Sequence, residues 1–436
     1  MAGLRVLIVG ASIAGPATAY WLSKAGARIT IIERFPSLRE GGQAIDIRVC
    51  GVSVMRKMHG MEERVRAQST QEEGVSFIRP DGRPYGVIRM TGNPDRQSLI
   101  SEYEIYRGDL SKILVDLPEQ KSSIDYIFGE EVASIRYEGD KAPVTVEFKN
   151  GTARSEFDLV IGCDGSFSRT RAMALGCGVR DHVIPTRSWA AYYSIPKDLC
   201  NGSKIGVGIS AVGGRTISIG SDRFTESTRV ALFANPPSSP SSSSSSAQDP
   251  MRAFREALSE GQDHVKLHIA NRFRGMGWIT DELLQGMMDS KDFYASEIVQ
   301  VKAPSIFDRR VVLVGDAGYA AGPTGGGTSL ALTGAYVLAG SLFKYPGDID
   351  AALAEYEQVM RPIITELQKI PPFVNTIMAP QTAWGIWLRN HLFALIAWTG
   401  VAEFLGTYFA AGFSDSKKFP LPDYDWDRKD TIPTSR

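Results

Sequence analysis

An α/β fold is predicted for this 436-residue chain: a domain opened by a βαβ unit, a second domain built on an antiparallel sheet, and a C-terminal helical segment. Three observations predict it. An apolar strand at residues 4–9 runs through Gly10-Ala-Ser-Ile-Ala-Gly15 into a helix and then into a second strand ending at Glu33. Buried-strand patterns recur at 159–162 and 310–314, each ending in an acidic turn, Asp164-Gly165 and Gly315-Asp316. Between them, residues 188–233 read as short strands rich in Tyr, Ile and Val, broken by turns such as Gly213-Gly214.

In the opening unit Gly10 permits the tight turn out of the strand and Gly15 lets helix and strand approach closely. The helix N-terminus, entered through Ser12, Ile13 and Ala14, offers unpaired N–H groups to phosphates. Ser12 stands at the middle glycine position of the fingerprint, so a diphosphate must pass a small side chain there. Glu33 falls where a carboxylate accepts hydrogen bonds from a ribose. The first domain therefore reads as Rossmann-like and dinucleotide-binding. Next come a glycine-led loop that turns strand-like through Gln43 to Asp46 and Arg48, and an amphipathic stretch over 54–65. A helix starts at Tyr106-Arg107, with Leu110, Ile113 and Leu114 at helical spacing. Strand alternation over 144–148 meets the turn pair Asn150-Gly151. Residues 237–250 are mostly serine, punctuated by proline, and read as a mobile surface loop. Helical periodicity returns over 251–258 and 278–288. A small-residue loop, 315–328, leads into a helix over about 329–342, and an amphipathic helix covers about 349–367.

A formal net charge of −1 leaves no global field to attract nucleic acid. The four cysteines have neither metal-ligand spacing nor disulfide density, which suits a reducing, cytoplasmic setting. The apolar N-terminal run, interrupted by glycines and followed by a matching strand, reads as fold and not as a secretion signal. Residues 392–413 are about long enough to span a bilayer, but Gly400, Gly406 and the central Glu403 favour a helical cap on the core. Weak membrane contact there stays an open alternative. His264 and His268, four apart, lack a third ligand and read as a surface pair, so no metal is expected. Trp384, Trp387, Phe393 and Trp398 are expected to pack the helical cap, since no basic stripe accompanies them.

The three strand-to-loop junctions, in this order, resemble the flavoprotein monooxygenases of the para-hydroxybenzoate hydroxylase type. The first loop is similar to their FAD diphosphate motif, Asp164-Gly165-Ser166 with Arg169 to their second motif, and Gly315-Asp316 to their third. Within that family, Gly42-Gln43-Ala-Ile-Asp46 and Glu104-Ile-Tyr-Arg107 look most like the branch of tetracycline-inactivating and secondary-metabolism enzymes. The resemblance implies an FAD-binding domain from residues 1–75, 101–180 and 290–345. It implies a substrate domain from 76–100 and 181–289, C-terminal helices over 346–415 and a tail over 416–436. It places Glu33 on the adenosine ribose, Arg34 on the adenine side, and Arg107 near the diphosphate and ribityl chain. Asp316 would hold a ribityl hydroxyl, Asp46 would lie near the flavin, and Asp164 would lie beside the diphosphate and a nicotinamide donor. Pro323, Gly326, Gly327 and Thr328 belong to the loop expected against the flavin pyrimidine, where N–H groups and a helix N-terminus stabilise charge on the reduced ring. Tyr319 departs from the His that many relatives carry there, and Gly318 from an Ala.

Each role has a local competitor. Arg107 could be a solvated helix residue, Asp316 a helix cap, and Arg48 either a substrate contact or the partner of a carboxylate. The activity implied is NADPH consumption, FAD reduction and capture of O₂ as a flavin C4a-hydroperoxide that passes one oxygen atom to an aromatic or polycyclic small molecule. No amino-acid nucleophile is then required. Aromatics near 189–194, with Phe293 and Tyr294, are expected either to line the substrate pocket or to serve as core. Hydroxylation is the leading outcome; epoxidation and Baeyer–Villiger insertion need only another substrate pose. A flavin-dependent halogenase would share the fold, but no Trp-x-Trp-x-Ile-Pro segment is present. A non-catalytic flavoprotein is the remaining alternative.

Overall fold

The computed structural model describes residues 3–39, 42–90, 101–117, 121–222, 224–236, 249, 251–372, 374–399 and 420–426. The 237–248 serine run and residues 400–413 of the apolar C-terminal segment lie outside the described residues.

Two large sheets organise the chain. The first has six strands, in the spatial order Phe307–Asp308, Val311–Leu313, Leu159–Gly162, Arg5–Val9, Arg28–Glu33 and Ile124–Phe128. All neighbours are parallel except the antiparallel pair at the Phe307–Asp308 edge. Val6, Leu7 and Ile8 have no exposed surface, which is why this strand reads as a continuous apolar run without alternation. The helices Ala14–Lys24 and Gly327–Lys344 cover one face. The other face packs on a three-stranded antiparallel sheet of Val132–Tyr137, Val144–Phe148 and Ser155–Phe157, whose hairpin turns at Asn150-Gly151 as expected.

Strand order decides where a ligand can sit. The chain leaves Arg5–Val9 for Arg28–Glu33 on one side and returns to Leu159–Gly162 on the other, so a crevice opens at the carboxyl end of the first strand. The register pairs Val9 with Gly162 and Gly162 with Leu313. Gly10, Cys163 and Val314 are consequently side by side, and three loops distant in sequence begin at one sheet end.

The second sheet has seven strands: Tyr294–Val301, Val183–Ile195, Ser227–Ala234, Arg215–Asp222, Ile205–Ala211, Gly74–Phe77 and Ile88–Arg89. Its pairs are antiparallel except Ile205–Ala211 with Gly74–Phe77. Tyr294–Val301 is therefore the edge of this sheet, whereas the boundary expected at residue 290 put it with the first domain. Backbone pairing with Val183–Ile195 outranks nearness in sequence to the strand at 311–313. One face of the sheet carries the helices Arg252–Glu260, Gln262–Phe273 and Thr280–Asp289.

Period-2 alternation sorts the aromatics of Val183–Ile195. Trp189 and Tyr193 point into the helix-covered core: Trp189 stacks on Phe254 with ring centroids 4.7 Å apart, and the Tyr193 hydroxyl donates to Leu283 O at 2.8 Å. These two are core and not pocket. Tyr192 takes the opposite face with Ala190, Phe233, Ile298 and Ala379. His268 packs among Trp189 and Phe254, half-buried, so only His264 of the expected surface pair is exposed.

The helix Ile349–Leu367 has the bounds its periodicity predicts. The helix Ala383–Thr399 touches the second sheet along one narrow face, Phe393 meeting Phe77 edge-on at 5.1 Å. Trp384, Trp387 and Trp398 are 68%, 53% and 84% exposed among the described residues, so of the four aromatics expected to pack the cap only Phe393 does so. No helix of the described residues is long and apolar enough to cross a membrane.

Candidate functional site

The first loop is shaped by what glycine lacks. Gly10 has φ of +109°, and a Cβ there would stand 2.5 Å from Cys163 O. At Gly15 a Cβ would stand 2.0 Å from Gly10 O. Only glycine lets the turn pass this close to the neighbouring strand and to itself. Above the turn, Ser12, Ile13 and Ala14 lead into the N-terminus of the helix Ala14–Lys24, a site favourable to an anion. Glu33 braces the loop from the second strand: its two oxygens accept from Ala11 N at 2.9 Å and Phe35 N at 3.1 Å. A carboxylate has about four acceptor positions, so both oxygens keep capacity for ribose hydroxyls. Arg34 lies next to it, exposed, with its guanidinium 4.9 Å from the Phe35 ring centre.

A short antiparallel ribbon, Ala44–Asp46 with Glu104–Tyr106, lies beside this loop. Its continuation places Arg107, whose backbone N donates to Gln43 O at 3.0 Å and whose Nε donates to Ser12 Oγ at 3.1 Å. Arg107 is thus tied to the first loop and is no solvated helix residue. Its charge reaches Asp316: burial pushes the Asp316 carboxyl above the ordinary carboxylate value, and the guanidinium pulls it back down. Gly315 packs on Ala14, a Cβ on it coming within 3.0 Å of the Ala14 Cβ, so the first and third loops touch. Gly327 faces the same space. A Cβ there would meet only Asp316 Oδ1, at 3.8 Å. The loop through Pro323, Gly326 and Gly327 ends in the helix Gly327–Lys344, with Thr328 in its first turn, so its N-terminal N–H groups point past Asp316.

Not every expected residue has a free hand. The Asp164 carboxylate is engaged inside its own loop, accepting from Ser168 Oγ at 2.5 Å, Thr170 N at 3.0 Å and Thr170 Oγ1 at 3.1 Å. Gly165, with φ of +85° and open space where a Cβ would stand, is the half-buried tip of that loop. Arg169 pairs with Glu131 at the surface. The arginine that joins the second motif to the third is Arg171, fully buried, donating to Ser166 O at 3.0 Å, Ala317 O at 2.8 Å and Val179 O at 2.8 Å. Thr170, Arg171 and Ala174 share the inner face of the helix Arg169–Leu175. Arg48 pairs with Asp46: its Nε and Nη2 donate to Asp46 Oδ2 at 3.1 and 3.0 Å.

Three further features surround these loops. Tyr192 projects from the second sheet toward Arg107 and Tyr294, and burial beside the Tyr294 phenol pushes its hydroxyl up to about 12. Glu72 and Glu104 stand near Asp46, and burial raises both carboxyls, each reinforced by its carboxylate neighbours. Tyr319, at the departure from the family pattern, turns away from the crevice. Its hydroxyl meets Tyr356 Oη at 2.9 Å, and Tyr356 donates to Leu313 O at 2.9 Å. Gly334 makes the room, since a Cβ there would fall 1.9 Å from the Tyr319 hydroxyl.

These residues fit FAD. The crevice has a glycine cradle and helix N-terminus for a diphosphate, a carboxylate for a ribose at one end and Asp316 with Arg107 further along. Gln43 Oε1 and Asp46 Oδ1 are buried without a hydrogen-bond partner among the described residues, on the ribbon beside the crevice.

The comparisons agree with that geometry. Residues 3–230 match the family model described as FAD binding domain. The chain is 33% identical to monooxygenase CTB7 of Cercospora beticola over 431 residues, 97% of this chain and 98% of that one. It is 31% identical to the FAD-dependent monooxygenase asL4 of Sarocladium schorii over 91% of this chain and 93% of that one. Among solved structures, tetracycline destructase Tet(51) superposes with a TM-score of 0.75 at 27% identity, covering 97% of this chain and 100% of its own. With the family match running from the first strand into the second sheet, and relatives aligned nearly end to end, the chain belongs to the FAD-binding domain family, among its flavin-dependent monooxygenases.

Proposed function

We propose that the protein is a single-component, NADPH-consuming monooxygenase that places one oxygen atom from O₂ on an aromatic or polycyclic small molecule of secondary metabolism, with hydroxylation as the outcome. The observation that carries this reading is the meeting of three strand-end loops at one crevice, with Tyr192 of the second sheet turned toward Arg107. FAD bound there would supply the redox chemistry between a nicotinamide donor and O₂. The protein binds, orients and keeps water out.

In this reading Gly10 to Gly15 and Arg107 hold the diphosphate, Glu33 the ribose and Asp316 the ribityl chain, while Gly326 to Thr328 present N–H groups to the pyrimidine. Tyr192 and Ile298, both partly buried, form the apolar wall that an aromatic substrate lies against, which the likeness to a tetracycline destructase also favours. Arg48, held by Asp46, meets an anionic oxygen of the substrate. NADPH, and not NADH, is the donor that the family resemblance implies.

Purified protein supplied with NADPH and a panel of phenolic and polycyclic compounds tests the reading under ¹⁸O₂. Substrate-accelerated NADPH oxidation with one labelled oxygen in the product is expected. Peroxide as the sole product across the panel, or equal rates with NADH, would overturn the corresponding part.

A further inference from the structure

Two buried glutamines hold the backbone that leads into the glycine loop. Gln300, 4% exposed on the edge strand Tyr294–Val301 of the second sheet, donates from Nε2 to Ala321 O at 2.9 Å and to Gln368 O at 2.6 Å. Gln368, 7% exposed at the end of the helix Ile349–Leu367, donates from Nε2 to Ala320 O at 3.0 Å and to Val301 O at 2.8 Å. The pair is reciprocal: each side chain grips one carbonyl of the 320–321 segment and one carbonyl at the other's element. The strand adds a backbone bond, Val301 N to Ala320 O at 3.1 Å. Gly322, with φ of +75°, lies against the Gln300 stem, where a Cβ would stand 2.9 Å from Cγ. Gly326 packs against Leu367, a Cβ there coming within 3.4 Å of the Leu367 Cβ. Both ends of the loop are therefore fixed by groups that belong to neither the first sheet nor the loop.

Buried amides with both donors used are costly to assemble and rigid once satisfied. The carbonyls they grip need partners in any case, and a backbone bond from the strand already serves Ala320 O. The added grip sets the loop's position to a fraction of an ångström, the tolerance that preorganised N–H groups demand.

We propose that Gln300 and Gln368 are positioning residues for the flavin: by clamping Ala320 and Ala321 to the second sheet and to the end of the Ile349–Leu367 helix, they aim the Gly326–Thr328 N–H groups and so tune the reduction potential of the bound ring. This rests on the reading that the loop faces the flavin pyrimidine. Neither glutamine touches the cofactor.

The test measures FAD affinity and the two-electron midpoint potential of the holoenzyme for wild type, Gln300→Met, Gln368→Met, the double variant and Gly327→Ala. Methionine keeps the volume and removes the donors. Each single Met variant should retain FAD and lose about tenfold in stabilisation of reduced over oxidised flavin, a fall of about 30 mV. The double variant should fall no further than the larger single effect, because the two side chains act as one clamp. Gly327→Ala puts a methyl into the space in front of the loop without a protein clash and reports whether the ring lies there, through its potential and visible spectrum. Unchanged potentials in the Met variants with a shifted Gly327→Ala would overturn the clamp alone. Unchanged values in all variants would overturn the clamp together with the loop reading. If one Met variant fails to fold, the other reads the same quantity.

Discussion

At the residue scale the crevice depends on a few side chains whose alternatives the structure separates. Asp316 opens the short helix Asp316–Tyr319, half-buried within reach of the Arg107 charge, and its Oδ1 borders the space in front of Gly327, so its carboxylate is placed to meet a ligand. Asp316→Ala should fold yet bind FAD at least tenfold more weakly, the loss of a charge-assisted bond of about 1.5–3 kcal/mol, as read by titrating apoprotein with FAD. Unaltered affinity would return Asp316 to a structural role. Arg171 carries a different burden. Its planar fork satisfies three carbonyls from three separate segments, which a lysine cannot reproduce. Arg171→Lys is expected to destabilise the fold by about 3 kcal/mol in urea unfolding, whereas Arg169→Lys, at a surface pair, should cost under about 1 kcal/mol. A larger effect at Arg169 would reverse that assignment. The sequence offered both arginines two positions apart, and no local pattern says which side chain the sheet will bury.

At the scale of elements, turns were legible and destinations were not. The first strand, loop and helix fell where glycine placement put them, because a Cβ at Gly15 has nowhere to go. Gly15→Ala should therefore give protein that is largely insoluble or free of FAD, visible as loss of the flavin absorbance after purification. By contrast the strand Val183–Ile195 announced its aromatics without their facing, and Trp189 proved to be core while Tyr192 took the opposite face. Period-2 alternation divides the residues into two sets; which set is buried depends on the helices that arrive later in the chain.

The turn region around Glu130 makes a second element-scale case. That carboxylate is 3% exposed and accepts from the backbone of Glu131, Lys149, Asn150 and Thr152 and from the Thr152 hydroxyl. Burial alone would raise it, but these donors hold it down at about 2, below an ordinary value of 4.5. A carboxylate depressed in the folded state contributes stability that is fully present above pH 4.5 and is lost as pH falls toward 2. Glu130→Gln should thus remove on the order of 3 kcal/mol at pH 7 and much less near pH 2, flattening the acid limb of a stability–pH curve. An unchanged slope between pH 5 and 2 would reject this.

At the scale of the whole molecule, the C-terminal 420–426 strap returns to the first domain. Tyr424 lies flush on Gly340, Trp426 stacks on Trp21 with centroids 4.9 Å apart, Tyr336 donates to Pro422 O at 2.8 Å, and Lys57 pairs with Asp423 at 2.7 Å. The strap thereby ties the helix of the first motif to the helix that follows the third. Tyr424→Ala should lower stability by about 3 kcal/mol and reduce the melting temperature without altering the flavin spectrum of the folded fraction. A changed spectrum would mean that the strap reaches the site.

By itself the sequence determined the dinucleotide turn, the parallel strands and the order of three cofactor loops, because these follow from local steric demands on glycine and from runs of apolar residues. Only the tertiary structure decided that Arg171 and not Arg169 bridges the loops, that Asp164 is spent on its own turn, and that two glutamines 68 residues apart clamp the glycine loop. The reason is one of range: a turn is specified by neighbours a few bonds away, whereas a buried polar group takes whichever partner the packing of distant elements delivers to it.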